Sequence, residues 1–359
     1  MSSRAPAYFV LVVLAGLTAT ACRASTPAFR DASGRLVPTS VADMRRIPVN
    51  GTTQYLLIRG RDRSAPLLLI LHGGPGASET PFFRLYNAAL EERLVVVYWD
   101  QRGAGKSFDA DIAEETMTVA QFLADLDAVV DHLRASFGRD RVALLGHSWG
   151  TALGALYAHA HPEKVSAYIG VAQESNTPAA EAEGYRWALA EARRRSDEDA
   201  VRALEEIGPP PHTVEEMLVA RRRVMEYGGS FHEPRSLWKL TFAALSTEEA
   251  TLADFPRFLR GNLFSLRAMW PELRELDLTE RARRFAVPVF FFLGRYDKQV
   301  PSTEAAKYFE RIEAPTKRLL WFERSAHNVP FEEPAAFNRA VLAALAEAGV
   351  LGESREAAP

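Results

Sequence analysis

Cysteine is almost missing from the sequence. Cys22 stands alone among 359 residues, so no intrachain disulfide can form and stability must come from packing. An excess of one charge sign is missing too: 43 Lys and Arg against 46 Asp and Glu leave a net charge of −3. Nucleic acid is therefore not an expected partner, because phosphate binding needs a concentrated basic surface. The apolar stretch from Ala7 to Leu17 falls short of the ~20 residues that a transmembrane helix requires. No internal repeat is visible, and the histidines show no His-x-x-x-His pair with a carboxylate set, so neither a metal nor another cofactor is expected. What remains is 47% hydrophobic and 25% charged, the composition of a globular chain with a sizeable core. The basic runs Arg193, Arg194, Arg195 and Arg221, Arg222, Arg223 lie among acidic residues in helical sequence and read as solvated helix faces.

The position of the lone cysteine is informative. Arg4, the apolar segment from Ala7 and the small residues Thr18-Ala19-Thr20-Ala21 have the layout of a secretory signal over residues 1–21. The residues before Cys22 resemble a bacterial lipobox, with Ala19 where Leu is usual. That resemblance implies export from a bacterial cell, cleavage before Cys22 and lipid on its thiol. The protein would then be anchored at a membrane, facing the periplasm or the exterior. Ordinary cleavage after Ala21, releasing a periplasmic or secreted protein, is the alternative. Residues 22–42 read as a flexible tether.

Ordered structure is predicted from residue 43. Asn50-Gly51 marks a hairpin turn between strands at 44–49 and 53–59. Apolar runs at 67–71, 94–98, 142–145 and 165–171 have the length of strands buried on both faces. Helical patterns separate them, clearest at 119–133, where Phe122, Leu126, Val129 and Leu133 share a stripe. Alternation of this kind predicts an α/β fold with a mostly parallel sheet flanked by helices. It stops after 173 and resumes at 287. The intervening 174–286 is helical in pattern and predicts an inserted cap, which divides the core into 43–173 and 287–348. Residues 349–359 read as a disordered tail.

Gly146-His147-Ser148-Trp149-Gly150 follows one of these strands and opens a helix, the context of a nucleophile elbow. It predicts Ser148 as a nucleophile on an α/β-hydrolase sheet. An acid and a histidine should follow in that order, each after a strand. Asp297, in Gly294-Arg295-Tyr296-Asp297, and His327, in Arg324-Ser325-Ala326-His327, occupy those places. His327 would take the Ser148 proton while Asp297 holds the imidazole; a turn-capping Asp297 and a surface His327 are the plainer alternatives. His72-Gly73-Gly74-Pro75-Gly76 is a glycine-rich loop suited to an oxyanion hole. Gly74, or alternatively Gly73, would supply one N–H and Trp149 the other. Gly105-Lys106-Ser107 ends like a phosphate loop, but Asp100 stands where its first glycine belongs, so a loop supporting the active-site floor is expected.

These motifs, with Asp100-Gln101-Arg102-Gly103-x-Gly105-x-Ser107, resemble the proline iminopeptidase branch of the α/β-hydrolases over about residues 45–345. The resemblance implies a serine aminopeptidase that releases N-terminal proline or another small apolar residue from peptides, with Ser148, Asp297 and His327 as its triad. Two positions depart from the family pattern, which usually has Gly at His147 and Cys at Ala104. An aminopeptidase needs carboxylates for the substrate amine. In the family they come from the cap, where Glu174, Glu181 and Glu183 are the first candidates; solvated helix carboxylates would look the same. Trp187, Phe231, Trp238 and Phe242 are candidates for an apolar pocket. An esterase, amidase or lactonase acting on a small molecule with the same triad is the alternative.

Overall fold

Asn50 and Gly51 take φ of 42° and 81° and turn the chain from β1 (Val41–Val49) into β2 (Thr52–Gly60), as an Asn-Gly hairpin requires. The computed structural model describes residues 24–233, 246–251 and 253–352. The apolar runs form β3 (Leu67–Leu71), β4 (Val95–Asp100), β5 (Val142–His147) and β6 (Val165–Val171). After the insertion come β7 (Val289–Gly294) and β8 (Lys317–Phe322). The sheet order is β1-β2-β4-β3-β5-β6-β7-β8, parallel from β3 to β8, with the hairpin antiparallel at one edge.

The central strands carry no polar alternation because helices cover both faces. α1 (Thr80–Asn87) packs Phe83 on one face; α2 (Val119–Phe137) and α3 (Trp149–Ala160) cover the other. Between β6 and β7 lie α4 (Thr177–Arg194), α5 (Glu198–Ile207), α6 (Val214–Glu226), α7 (Asp254–Leu273) and the short α8 (Leu278–Arg281). α4, α5 and α6 share a small core around Tyr185, Ala188, Leu204 and Val224. α7 instead buries Leu266, Met269 and Trp270 in the main core, so the cap is tied down from below. Its two ends meet where Asn176 bridges Asp277, with a 2.6 Å side-chain hydrogen bond. α9 (Ser302–Arg311), α10 (Val329–Glu332) and α11 (Pro334–Glu347) complete the two helical layers.

Both ends depart from expectation. The described residues of the predicted tether at 22–42 are tied to the rest of the chain, beginning with the Ser25 N–H on the Glu248 carbonyl at 3.0 Å. Phe29 is buried with the Arg59 guanidinium 4.7 Å above its ring, Thr26 Oγ1 donates to Glu249 Oε1 at 2.9 Å, and β1 already starts at Val41. Single contacts hold this segment, so no apolar period marks it. At the other end, Leu351 is buried and its N–H reaches the Leu345 carbonyl at 3.1 Å, so the described start of the predicted tail at 349–359 packs on the core. The expected signal over 1–21 and Cys22 lie outside the described residues.

Candidate active site

The carboxyl ends of β5, β7 and β8 lie along one edge of the sheet, and the loops leaving them carry Ser148, Asp297 and His327. Ser148 has φ 52° and ψ −125°, a conformation that costs a side-chain-bearing residue about 1–3 kcal/mol. The turn is that sharp because the chain passes directly from strand to helix. A Cβ at Gly146 would lie 2.4 Å from the Gly150 oxygen, and one at Gly150 would lie 2.0 Å from the Leu71 oxygen, so only glycine fits on either side. The Ser148 carbonyl accepts from Thr151 N and Oγ1 at 2.8 and 2.6 Å, which fixes the elbow to the first turn of α3.

Asp297 makes both of the contacts weighed for it. Its Oδ1 accepts from the N–H groups of Gln299 and Val300, each at 2.9 Å, and its Oδ2 accepts from His327 Nδ1 at 2.9 Å. The turn it caps thereby holds the oxygen that orients the imidazole. His327 is buried, not a surface residue. Its loop is tied to the cap: Ser230 O accepts from His327 N at 3.1 Å and from Asn328 Nδ2 at 2.9 Å, while Ser230 Oγ donates to Gln299 Oε1 at 2.8 Å. Ser230 thus joins the acid loop to the base loop, a contact with no sequence signal.

The glycine-rich loop lies against the elbow: a Cβ on Gly73 would meet Ser148 Cβ at 3.2 Å. Gly73 N–H already donates to Glu79 Oε2 at 3.1 Å. Gly74 lines a cavity together with Trp149 and Glu174. Below this loop, Asp100 accepts from Ser78 Oγ, Thr80 Oγ1 and Lys106 N at 2.5, 3.0 and 2.8 Å. Gln101 accepts from Trp149 Nε1 at 3.0 Å and donates to the His72 carbonyl at 3.1 Å. The Asp100 segment is a hydrogen-bonded floor, as its failed phosphate-loop match suggested.

The three cap carboxylates separate. Glu174, immediately after β6, lines the cavity, and its N–H is held by Thr151 Oγ1 at 2.8 Å. Burial pushes its carboxyl up to about 7 against the opposing charge of Arg221, with Glu181 and Asp297 adding to the rise. Glu181 pairs with Arg221 at 2.8 Å. Glu183 accepts from Thr303 Oγ1 at 2.7 Å and lies 3.5 Å from Lys298 Nζ, outside that cavity.

Two sequence expectations change here. Arg222 pairs with Glu226 on the exposed side of α6, as a solvated face should, but Arg223, which reaches the same carboxylate, is largely covered, and Arg221 turns inward to the cavity wall. The apolar wall itself comes from Ala152 on α3, from Leu266, Trp270 and Leu273 on α7, and from Leu276. Trp187 packs against the small cap core instead, and Phe231 is half-buried outside that wall. Trp238 and Phe242 lie outside the described residues. Aromatic type alone could not separate pocket from helix core.

A model of the α/β hydrolase fold family matches residues 66–207. A probable aminopeptidase of Bacillus subtilis is 33% identical over 302 residues, covering 83% of this chain and 94% of its own. The chain belongs to the proline iminopeptidase branch of the α/β hydrolases. A proline iminopeptidase of Heyndrickxia coagulans is 26% identical over 75% of this chain and 87% of its own. At the level of fold, a solved proline iminopeptidase-related protein from Thermus thermophilus superposes with a TM-score of 0.63 at 23% identity, over 87% of this chain and all of that one. Members of this family are enzymes, and the cap between β6 and β7 supplies what the sheet alone lacks, a wall over the elbow.

Proposed function

We propose that the protein is a serine aminopeptidase that releases proline or another small apolar residue from the N-terminus of a peptide. One observation carries this: the Glu174 carboxyl shares a cavity with Gly74 and Trp149 whose remaining wall is largely apolar. A protonated amine entering such a wall needs a carboxylate, since a buried unpaired cation is strongly unfavourable. The names of the relatives, an aminopeptidase and a proline iminopeptidase, support the same reading.

In this reading, His327 Nε2 removes the Ser148 proton as Oγ attacks the carbonyl carbon of the N-terminal residue. Asp297 holds the tautomer and stabilises the imidazolium through its Nδ1 bond. The tetrahedral oxyanion is held by the N–H groups of Trp149 and Gly74, each such donor being worth about 2.7–4 kcal/mol. Gly74 is preferred to Gly73, whose N–H is engaged by Glu79. The imidazolium then gives its proton to the departing peptide amine. Water, deprotonated by His327, next attacks the acyl-enzyme, and the released amino acid leaves Ser148 protonated.

The test compares proline arylamide with its amine free and blocked, beside a blocked p-nitrophenyl ester. Only the free amine should turn over rapidly, and Ser148→Ala should abolish both hydrolysis and fluorophosphonate labelling. Equal rates with free and blocked amines would sink the aminopeptidase reading in favour of an esterase, amidase or lactonase.

For the first residues we propose a signal at 1–21 and a lipid anchor on Cys22, supported by the small residues that precede the lone cysteine. Cys22→Ser should move the protein from the membrane fraction to the soluble one. Unchanged partition would rule the anchor out.

A further inference from the structure

His147, next to the nucleophile, aims both ring nitrogens at oxygens. Nδ1 lies 2.7 Å from Glu79 Oε1, and Nε2 lies 3.0 Å from the backbone oxygen of His327. The His327 carbonyl can only accept, and the Glu79 carboxyl, held below its ordinary pKa, accepts as a carboxylate at neutral pH; both nitrogens then donate, and a ring that donates twice is an imidazolium. A neutral ring would set a lone pair against an oxygen at one of these two places. Glu79 provides the countercharge, and its second oxygen accepts the Gly73 N–H.

The pattern is specific to this histidine. His72 also faces Glu79, but its Nδ1 donates to the Gly73 oxygen at 2.8 Å while its Nε2 accepts the Gln101 N–H at 3.1 Å. One donor and one acceptor describe a neutral ring, and burial holds the His72 pKa down accordingly. Around His147 the other groups are Asp297, whose charge favours the cation, the His327 ring at 5.1 Å and the apolar Phe331 ring at 6.0 Å. Burial opposes the charge on His147, yet Glu79 and the His327 carbonyl outweigh it and hold its pKa above the ordinary value. The Glu79 carboxyl is correspondingly held below its own, because the His147 charge outweighs burial.

A single chain of contacts therefore runs from the oxyanion loop through Glu79 and His147 to the loop of the base. We propose that the Glu79–His147 ion pair is a positioning device for the serine hydrolase reaction, in which protonated His147 holds the His327 loop while Glu79 holds the Gly73–Gly74 loop. Loss of the His147 proton releases both loops together and slows attack by Ser148. The pair touches no substrate atom and acts through the two loops. The proposal rests on Ser148 as nucleophile and His327 as base, but not on the aminopeptidase reading.

Two measurements test it. In the full protein labelled with 15N-histidine, His147 signals are assigned by their loss in His147→Gln. Two protonated ring nitrogens at pH 7 are expected, and a single protonated nitrogen overturns the proposal. The second is the rate at which a fluorophosphonate acylates Ser148, a reaction without an amine. Relative to the unmodified protein, Glu79→Gln should slow acylation about tenfold or more at pH 8, as displaced reacting groups do. The loss should be smaller at pH 6, where acid restores part of the His147 charge that Glu79 no longer supports. Equal losses at both pH values would show a merely structural role and overturn the proposal. If the unmodified protein is not labelled at Ser148, the serine hydrolase reading fails instead, whatever the ring signals show.

Discussion

A carboxyl that titrates near neutrality makes Glu174 the residue whose effects are easiest to separate. Binding a protonated amine needs the carboxylate, so kcat/KM for a free-amine substrate should rise with pH through about 7. Attack by Ser148 is common to every substrate, so the ratio of a free-amine arylamide to a blocked ester isolates Glu174. Glu174→Gln should abolish the rise in that ratio and lower the free-amine kcat/KM about 100-fold, the loss of one charged hydrogen bond. An unchanged ratio would remove Glu174 from amine binding. The same group predicts stability. Its folded pKa lies above the ordinary 4.5, so the folded state keeps a proton that the unfolded chain gives up, and stability falls as pH rises from about 4.5 to about 7. Glu174→Gln should therefore melt above the unmodified protein at pH 8 but not at pH 4.5. Ser148 gives a control of another kind: with φ at 52°, Ser148→Gly should be more stable than Ser148→Ala by about 1–2 kcal/mol in denaturant melts, both being inactive. Ser148, Asp297 and His327 were legible because each follows a strand in a fixed order. Glu79 and His147 were not legible as a pair, since 68 residues separate them.

Among the elements, the strands could be read because their apolar runs are buried on both faces. The ends could not: β4 runs on to Asp100 and β5 to His147, polar residues that belong to the site and not to the core. In the cap, helical patterns were visible but their facing was not. α6 exposes Arg222, covers most of Arg223 and turns Arg221 to the cavity, and nothing in three consecutive arginines selects one. Arg221 opposes the rise of the Glu174 carboxyl from across the cavity. Arg221→Met should then move the rise of the free-amine ratio to higher pH. A shift to lower pH, or none, would show that the charge of α6 does not act on Glu174.

Across the whole molecule, the N-terminal segment, the core and the far end of the cap meet in one buried network. Glu91 pairs with Arg59 at 2.8 Å and with Arg84 at 2.5 Å, and Arg84 continues to Glu249 at 2.9 Å. Thr26 closes the circuit by accepting from Arg59 and donating to Glu249. Thr26→Ala should cost about 1–2 kcal/mol in denaturant melts, because it strips a partner from two buried charged groups. An unchanged midpoint would mean that the segment merely lies on the surface.

The sequence by itself determined the succession of strands along the chain, the elbow, the places of Asp297 and His327 after their strands, and the existence of a cap. Strand burial and the strand–turn–helix context are local, so they leave a period and a spacing to read. Tertiary structure alone decided which carboxylate enters the cavity, which arginine faces it, what pairs with His147, and which residues of the expected tether and tail pack on the core. Those outcomes depend on helix facing and on partners far apart in the chain, such as Glu181 with Arg221 and Thr26 with Glu249. Only the packing of α4, α6 and α7 over the sheet brings the cavity-lining groups to one place.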